Sequence, residues 1–491
     1  MWLDEALSVD IARLPLGRIA AALRHDGHPP LYYALLHGWM VVFGSGDRAV
    51  RALSGVLSLL TLPLGYRAGR RLGGTRVGWM TVLVLSLSPY FLRYGSEARM
   101  YALLMALVFA GYLLVLNALE GNGMGYLVGI VPVTSALVWS HYWSLWLVIA
   151  VGGLLAVRLG LRWRSDHELD RRALAVVVAI GVGAVTLAPW LPTMLYQSAH
   201  TGTPWAKPFR PTTLLVQSVQ DFSGGPYSEA QVLSLITVVL VVIGVFGRGI
   251  DAWKVELDLH TRVEARLPAA LLVSTAVVAS VAGIATHTTF NSRYAAVFFP
   301  FFVLLVALGL DHFQGATTRS VVLSVFLVLS LVGCFFVLRR DRTQAGVVAD
   351  AIVAAEHRAP PSSTPPLIVI CPDQLGPSVA RVVRQRLGDA TDIVTYPRFA
   401  APEFVDWVDY AERNRHNDPK EFANELLGRS AGRTLYFVYS DTYQTLQSQC
   451  FEVLATLGGT RPPTHLVTAD ADSYYEPMSL EVLPPVAPPN P

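Results

Sequence analysis

The chain has 491 residues, of which 53% are hydrophobic and only 15% charged. A soluble domain carries roughly 25% charged residues, and the mean hydropathy here is positive, at +0.43. These figures exclude a disordered chain, a nucleic-acid-binding protein and an ordinary cytosolic enzyme, and they point to a multi-span membrane protein; the net charge of +2 selects no partner by field.

Residues 1–29 contain no charged stretch followed by an apolar one, so no signal peptide is read there. Either a first span precedes this start or the tail crosses unaided, and the first is the expectation. The run 30–43 begins at Pro29-Pro30 and ends at Gly44. About 14 helical residues cover about 21 Å, short of a 30 Å hydrocarbon core, so the run reads as an interfacial helix. Ten further apolar runs are candidate spans: 49–66, 78–93, 100–118, 124–139, 142–157, 173–193, 231–247, 267–286, 294–310 and 319–338. With residues 1–48 outside and the ten runs alternating, the inner loops hold 13 Arg and Lys. The outer loops hold five: Arg93, Arg99, Lys207, Arg210 and Arg293. That asymmetry agrees with the positive-inside rule.

After Leu338 the composition turns polar. Leu367–Cys371, Asp392–Tyr396, Thr434–Tyr439 and His465–Thr468 read as strands, with helical patterns at 376–388, 403–428 and 442–457. The alternation predicts a small α/β domain, placed outside by the topology. The expected organisation is a membrane-spanning domain over 1–338, an extracytoplasmic α/β domain over 339–483, and a Pro-rich disordered tail over 484–491. An oxidising compartment permits a disulfide between Cys371 and Cys450, although two buried free thiols are the simpler expectation. Cys334 reads as a small apolar residue in the last span.

Several ionisable residues fall on the outer side of this layout. They are Asp4 and Glu5; Arg24, His25, Asp26 and His28, just before Pro29-Pro30-Leu31-Tyr32-Tyr33; Glu97 and Arg99; His141; and His287, Arg293 and Tyr294. Ionisable residues at span ends mark function more often than chance. Each also has a plain reading: solvated acids near a terminus, an interfacial ion pair at Glu97 and Arg99, a polar turn at His141, a snorkelling arginine beside a belt tyrosine at Arg293. Their shared side is the better argument. Chemistry at such a face needs a carboxylate as general base, cations to meet a departing phosphate, and a lipid-facing groove. Asp4 or Glu5 suits the first role and Arg293 the second; arginine is the default phosphate grip here, since only Lys207, Lys254 and Lys420 among 38 basic residues are lysine.

The residues also carry a resemblance. Leu3-Asp4-Glu5-Ala6, then His28-Pro29-Pro30-Leu31-Tyr32-Tyr33, Phe43-Gly44, Arg51-Ala52-Leu53-Ser54, Ser88-Pro89 and Glu97-Ala98-Arg99-Met100-Tyr101 resemble the GT-C glycosyltransferase superfamily. The nearest branch is the glycosyltransferase family 39 group of protein O-mannosyltransferases and the lipid A aminoarabinose transferase. The match is dense over 3–101 and thins to Ser140-His141-Tyr142 and Arg293-Tyr294. It implies a polytopic α-helical membrane enzyme of about ten spans plus juxtamembrane helices, with a C-terminal extracytoplasmic α/β domain. It implies transfer of a sugar from a polyprenyl-phosphate donor to an extracytoplasmic protein, lipid or glycan, with inversion, at the plasma membrane.

Carried over, Asp4 is the candidate base, with Glu5 beside it and Glu97 as the second acidic position. Arg293, Tyr294, His28, Arg99 and Tyr32 become contacts for the donor phosphate and lipid. His28 stands where the aminoarabinose branch often has lysine. His141 and Asp26 are candidates for a polar cavity or a metal. A divalent cation is compatible with Asp4, Glu97 and the nearby histidines, but no spacing is diagnostic and none is required. The partners expected are the lipid-linked donor, the acceptor and the bilayer, with no nucleic acid. The alternative reading is a transporter or flippase of lipid-linked sugars, which would place charges at mid-membrane on broken helices.

Overall fold

The computed structural model describes every residue except 202–209, 226–227, 252–253, 287–288, 360–363, 442, 444–445, 447 and 486–491, and the side chains of 228–229. Lys207, His287 and most of the expected Pro-rich tail lie outside the described residues. The chain divides into two compact units. Met1–Gly27, Leu195–Trp205 and Arg340–Pro491 form one; His28–Met194 and Ala206–Arg339 form the other. The change after Leu338 is thus a structural boundary at Arg339, but the first 27 residues group with the C-terminal unit and not with the apolar helices.

Helices α1 (Leu3–Arg13) and α2 (Leu16–Leu23) come first. Asp4 and Glu5 in the first turn and Arg13 in the last suit the α1 dipole, and Pro15 separates the pair.

The helical unit opens with α3 (Leu31–Phe43), which buries Tyr32, Tyr33 and Leu36 on one face. Next, α4 (Asp47–Ser86) is a helical stretch interrupted at Gly73 and Gly74. Gly74 has φ 80°, a region that favours glycine. In one straight helix Gly65 and Leu85 would lie about 30 Å apart; here Leu85 packs on Gly65 and the Tyr66 and Trp79 rings are 5.0 Å apart. The stretch is therefore a hairpin of two antiparallel legs.

The expected run 78–93 does not continue as one helix. Ser88 starts a new one, α5 (Pro89–Ser96), its Oγ accepting from the Phe91 N–H at 3.2 Å, with Pro89 in the first turn. Then come α6 (Tyr101–Glu120), α7 (Met124–Ser140), α8 (Ser144–Asp166), α9 (Arg171–Val185), α10 (Leu191–His200), α11 (Pro211–Phe222) and α12 (Ser228–Phe246). A short hairpin, β1 (Gly247–Gly249) with β2 (Val255–Leu257), leads to α13 (Val263–Ala285), a 3₁₀ segment Ser292–Val297, α14 (Phe299–Asp311) and α15 (Ala316–Arg339).

Helix α14 is buried from Phe299 to Leu310 and forms the centre of this unit. It crosses α12 so closely that a Cβ on Gly309 would sit 2.0 Å from the Leu240 carbonyl oxygen; small residues permit such backbone contact. Among the described residues six helical stretches are long and apolar enough to cross a membrane, and four more apolar helices are shorter. The expected ten spans are thus not all of spanning length: 124–139, 231–247 and 294–310 fall on short helices.

In the other unit, β3 (Asp341–Thr343) and α16 (Ala345–Arg358) precede β4 (Leu367–Cys371), α17 (Gly376–Leu387) and β5 (Asp392–Thr395). Then follow α18 (Tyr410–Arg415), α19 (Pro419–Arg429), β6 (Leu435–Tyr439), α20 (Gln449–Gly458), β7 (Thr464–Val467), β8 (Tyr474–Glu476) and β9 (Ser479–Leu483). The main sheet has order β5-β4-β6-β9-β7, with β5, β4 and β6 parallel and β9 antiparallel to both neighbours. Strand β3 pairs with β8 in a separate ladder.

Both faces of the sheet are covered, as a parallel sheet requires. Alternate residues Ile368 and Ile370 face a core with Val348, Ile352 and Val379, while Leu367, Val369 and Cys371 face one with Phe422, Leu426, Val453 and, from the start of α1 and the residue before it, Leu3 and Trp2. The expected helix 403–428 is broken in two, and the expected helix at 442–457 begins only at Gln449. Cys371 and Cys450 form a disulfide, with Cα atoms 5.7 Å apart. The expectation of two free thiols is corrected: the parallel β4–β6 pairing brings the end of β4 beside the start of α20.

Candidate functional site

The helical unit gathers a polar centre around Arg99. The turn after α5 is tight, with the Arg99 N–H donating to the Glu97 carbonyl at 2.7 Å, and both side chains are buried. The Arg99 guanidinium reaches His28 Nε2 at 3.0 Å and donates to the Tyr33 hydroxyl at 3.3 Å. A guanidinium only donates, so His28 Nε2 accepts and carries no proton in this contact. The cation of the pair is Arg99, and His28 and Tyr33 aim it. Tyr32 is engaged one layer away: its hydroxyl meets Ser54 Oγ at 3.1 Å, and Ser54 donates to the Arg99 carbonyl at 3.3 Å.

His141 lies beside this centre in the connection between α7 and α8. Its ring centroid is 6.2 Å from His28, 6.0 Å from Tyr101 and 5.3 Å from Tyr294. Its Nδ1 accepts the Trp143 N–H at 3.1 Å, which leaves Nε2 to carry a proton. Arg99 and Arg293 are the arginines whose charge reaches it. Arg293 stands 5.8 Å from the Tyr294 ring centroid, and the Trp143 ring lies 5.4 Å from the same ring, tilted by 35°.

A second set of residues was not foreseen. Asp221, buried at the end of α11, accepts from the Tyr94 hydroxyl at 2.9 Å and pairs with Arg93 at 3.3 Å. Tyr94 packs against Tyr101 at 5.1 Å, and the Tyr90 hydroxyl donates to the Arg293 carbonyl at 3.1 Å, holding the 3₁₀ segment. Asp221 sits in the stretch 194–230, read from sequence as one outer loop. The signal available was a carboxylate next to Phe222 in an apolar stretch, with Arg93 at the end of another run.

The remaining expected residues lie in the other unit. Asp4 is in the first turn of α1 and partly exposed, whereas Glu5 beside it is fully buried. Asp26 lies in the turn after α2, its N–H donating to the Leu23 carbonyl. The structure therefore brings His28, Tyr32, Glu97, Arg99, His141, Arg293 and Tyr294 into one unit, and Asp4, Glu5 and Asp26 into the other. Among the described residues no group of three or more His, Cys, Asp or Glu is placed to hold a metal ion.

Comparison with known proteins agrees with this architecture. The family model described as dolichyl-phosphate-mannose-protein mannosyltransferase matches residues 27–191, about a third of the chain. That span contains His28, Tyr32, Glu97, Arg99 and His141. No curated protein sequence matches. The crystal structure of ArnT from Cupriavidus metallidurans in the apo state is similar with TM-score 0.56 at 14% identity, covering 97% of this chain and 93% of that one. The same protein bound to undecaprenyl phosphate gives TM-score 0.55 at 13% identity over 98% and 93%. The arabinofuranosyltransferase AftD from Mycobacteria gives 0.45 at 15% identity over 99% and 40%. At 14% identity the likeness to ArnT is one of fold, and it extends over nearly the whole of both chains.

Proposed function

We propose that this chain is an integral-membrane glycosyltransferase that moves a sugar from a polyprenyl-phosphate donor to an extracytoplasmic acceptor with inversion. The observation that carries the reading is the buried Arg99, aimed by His28 and Tyr33 beside His141 and Tyr294. A fixed guanidinium at the end of apolar helices suits a lipid phosphate. The similarity to ArnT, whose structure contains undecaprenyl phosphate, and the mannosyltransferase match over 27–191 support the same donor chemistry. The Cys371–Cys450 disulfide supports an oxidising, extracytoplasmic setting for its unit.

In this mechanism Asp4 takes the proton of the acceptor hydroxyl as its oxygen attacks the anomeric carbon. The new glycosidic bond forms as the bond from that carbon to the phosphate oxygen breaks. Polyprenyl phosphate leaves with the electron pair, and Arg99 and Arg293 meet its charge. Glu97 is the second acid of the family pattern, and His141 supplies an N–H donor to the same region. No step is routed through a metal. Mannose, arabinose, galactose and aminoarabinose donors share the phosphate and lipid that these groups would grip, so the sugar and the acceptor are read from experiment.

The test is transfer of radiolabelled sugar from a panel of polyprenyl-phosphate donors by membranes containing the protein, beside Asp4→Asn. Transfer from one donor, reduced on the order of 10²-fold or more in the variant, is expected. Transfer that is indifferent to Asp4 would remove the aspartate from its role.

A further inference from the structure

We propose that Glu476 is a positioning residue for this reaction, holding the first turn of α1 and through it the Asp4 carboxylate. The inference rests on the reading of Asp4 as the base.

The first turn of a helix leaves its backbone N–H groups without intrahelical partners. Trp2, the residue before α1, provides no side-chain cap. The Leu3 N–H donates instead to Glu476 Oε1 at 3.3 Å, across 473 residues of sequence. The same oxygen accepts the Tyr443 hydroxyl at 3.0 Å. The Thr343 and Ser378 hydroxyls act on the same carboxyl group.

The anchor itself is held in a strand ladder. Glu476 closes β8 beside β3, and its carbonyl accepts the Gln344 N–H at 3.1 Å. The neighbouring Tyr475 ring meets Trp2 edge-on at 5.3 Å, and Trp2 and Leu3 enter the core of the sheet. Asp4 is the next residue, and its carbonyl accepts Ser8 Oγ at 2.6 Å. A fully buried carboxyl is costly where an apolar side chain would pack as well. Here it supplies what an apolar residue lacks, an acceptor at the positive end of the helix that carries the base.

Full-length protein in membranes or detergent serves for the test, with Glu476→Ala, Glu476→Gln and Tyr443→Phe. Glu476→Ala is expected to lower kcat by about 10-fold or more and to leave KM for the lipid-linked donor within about twofold. Glu476→Gln keeps an oxygen acceptor and should restore kcat to within about threefold of wild type. Tyr443→Phe should lie between them. Hydrogen exchange supplies a readout free of activity: in Glu476→Ala the amides of residues 3–8 should lose protection while β4 and β6 keep theirs.

A folded Glu476→Ala protein with unchanged kcat, or with unchanged exchange at residues 3–8, overturns the proposal. So does loss of protection throughout the sheet in all three variants, which marks a purely structural role. Wild-type transfer that is indifferent to Asp4 counts against the functional reading instead, and the exchange data then decide the anchoring alone.

Discussion

Arg99 is buried, yet its fork reaches both His28 and Tyr33. Lysine keeps the charge but not two planar donors in fixed directions. Arg99→Lys should therefore raise KM for the donor by about 10- to 100-fold, the size of one charge-assisted hydrogen bond. Tyr33→Phe should raise it less, because the His28 contact remains. Both are read from initial rates across donor concentration, and equal KM values for Arg99→Lys and wild type would contradict the assignment.

Glu476 gives a residue-scale prediction of pH dependence. Burial pushes its carboxyl up from the usual 4.5 to about 7, against the pull of hydrogen bonds from Thr343, Ser378, Tyr443 and the Leu3 N–H. Between these values the folded chain holds a proton that the unfolded chain has lost. The contribution is full below about pH 4.5 and is lost as pH rises through about 7, and its size is roughly 3 kcal/mol. The thermal midpoint of this unit should fall between pH 5 and pH 8, and Glu476→Gln, which cannot ionise, should flatten the fall.

Sequence pattern named His28, Arg99, His141, Arg293 and Tyr294, which the structure gathers. It gave no role to Tyr33, Tyr94 or Asp221, because their partners stand 66 to 128 residues away, such as Arg99 for Tyr33 and Arg93 for Asp221.

Among elements, apolar runs were legible because each helix carries its own length and composition. What the runs concealed was their ends. Gly73-Gly74 turns one helical stretch into a hairpin, and Ser88-Pro89 cuts another run with a cap and a proline. In the C-terminal unit β4 through β7 were legible from their β-branched and aromatic residues. β9 was not, since Ser479 and Glu481 dilute its pattern and its place between β6 and β7 is a matter of topology. The sequence permitted a Cys371–Cys450 disulfide without deciding it; the pairing of β4 with β6 decides it.

Closing residues 371 and 450, which are 79 apart, removes about 4.5 kcal/mol of unfolded-chain entropy in the loop-closure model. Cys450→Ser should lower the denaturant midpoint of this unit accordingly, and reducing agent should do the same to wild type but not to the variant. In the helical unit, a side chain at Gly309 meets the backbone of α12, which no rotamer relieves. Gly309→Val should abolish a monodisperse, folded preparation. Gly153→Val, where a Cβ meets nothing within 4 Å, should behave as wild type in the same size-exclusion and thermal-melting measurements.

At the scale of the whole molecule, composition alone announced two physical worlds, apolar helices and a polar α/β unit. It could not show that Met1–Gly27 belongs to the second. The reason lies in Trp2, Leu3 and Leu7: a short apolar face on a helix says that something covers it, not what. Here the cover for Trp2 and Leu3 is the sheet core built from Leu367, Val369 and Leu435. The consequence for function is that the helix carrying Asp4 folds as part of the C-terminal unit. That unit is thus tied to the proposed chemistry through its own core.

Sugar transfer from a polyprenyl-phosphate donor releases polyprenyl phosphate, one for each glycosidic bond made. The most direct measurement counts both products in sealed vesicles containing the protein and one labelled donor with its acceptor, for wild type and Asp4→Asn. Wild type should release one polyprenyl phosphate for each sugar transferred, and in the variant both products should fall on the order of 10²-fold or more. Donor that moves between leaflets with no polyprenyl phosphate released, equally in both proteins, would contradict sugar transfer and identify a flippase.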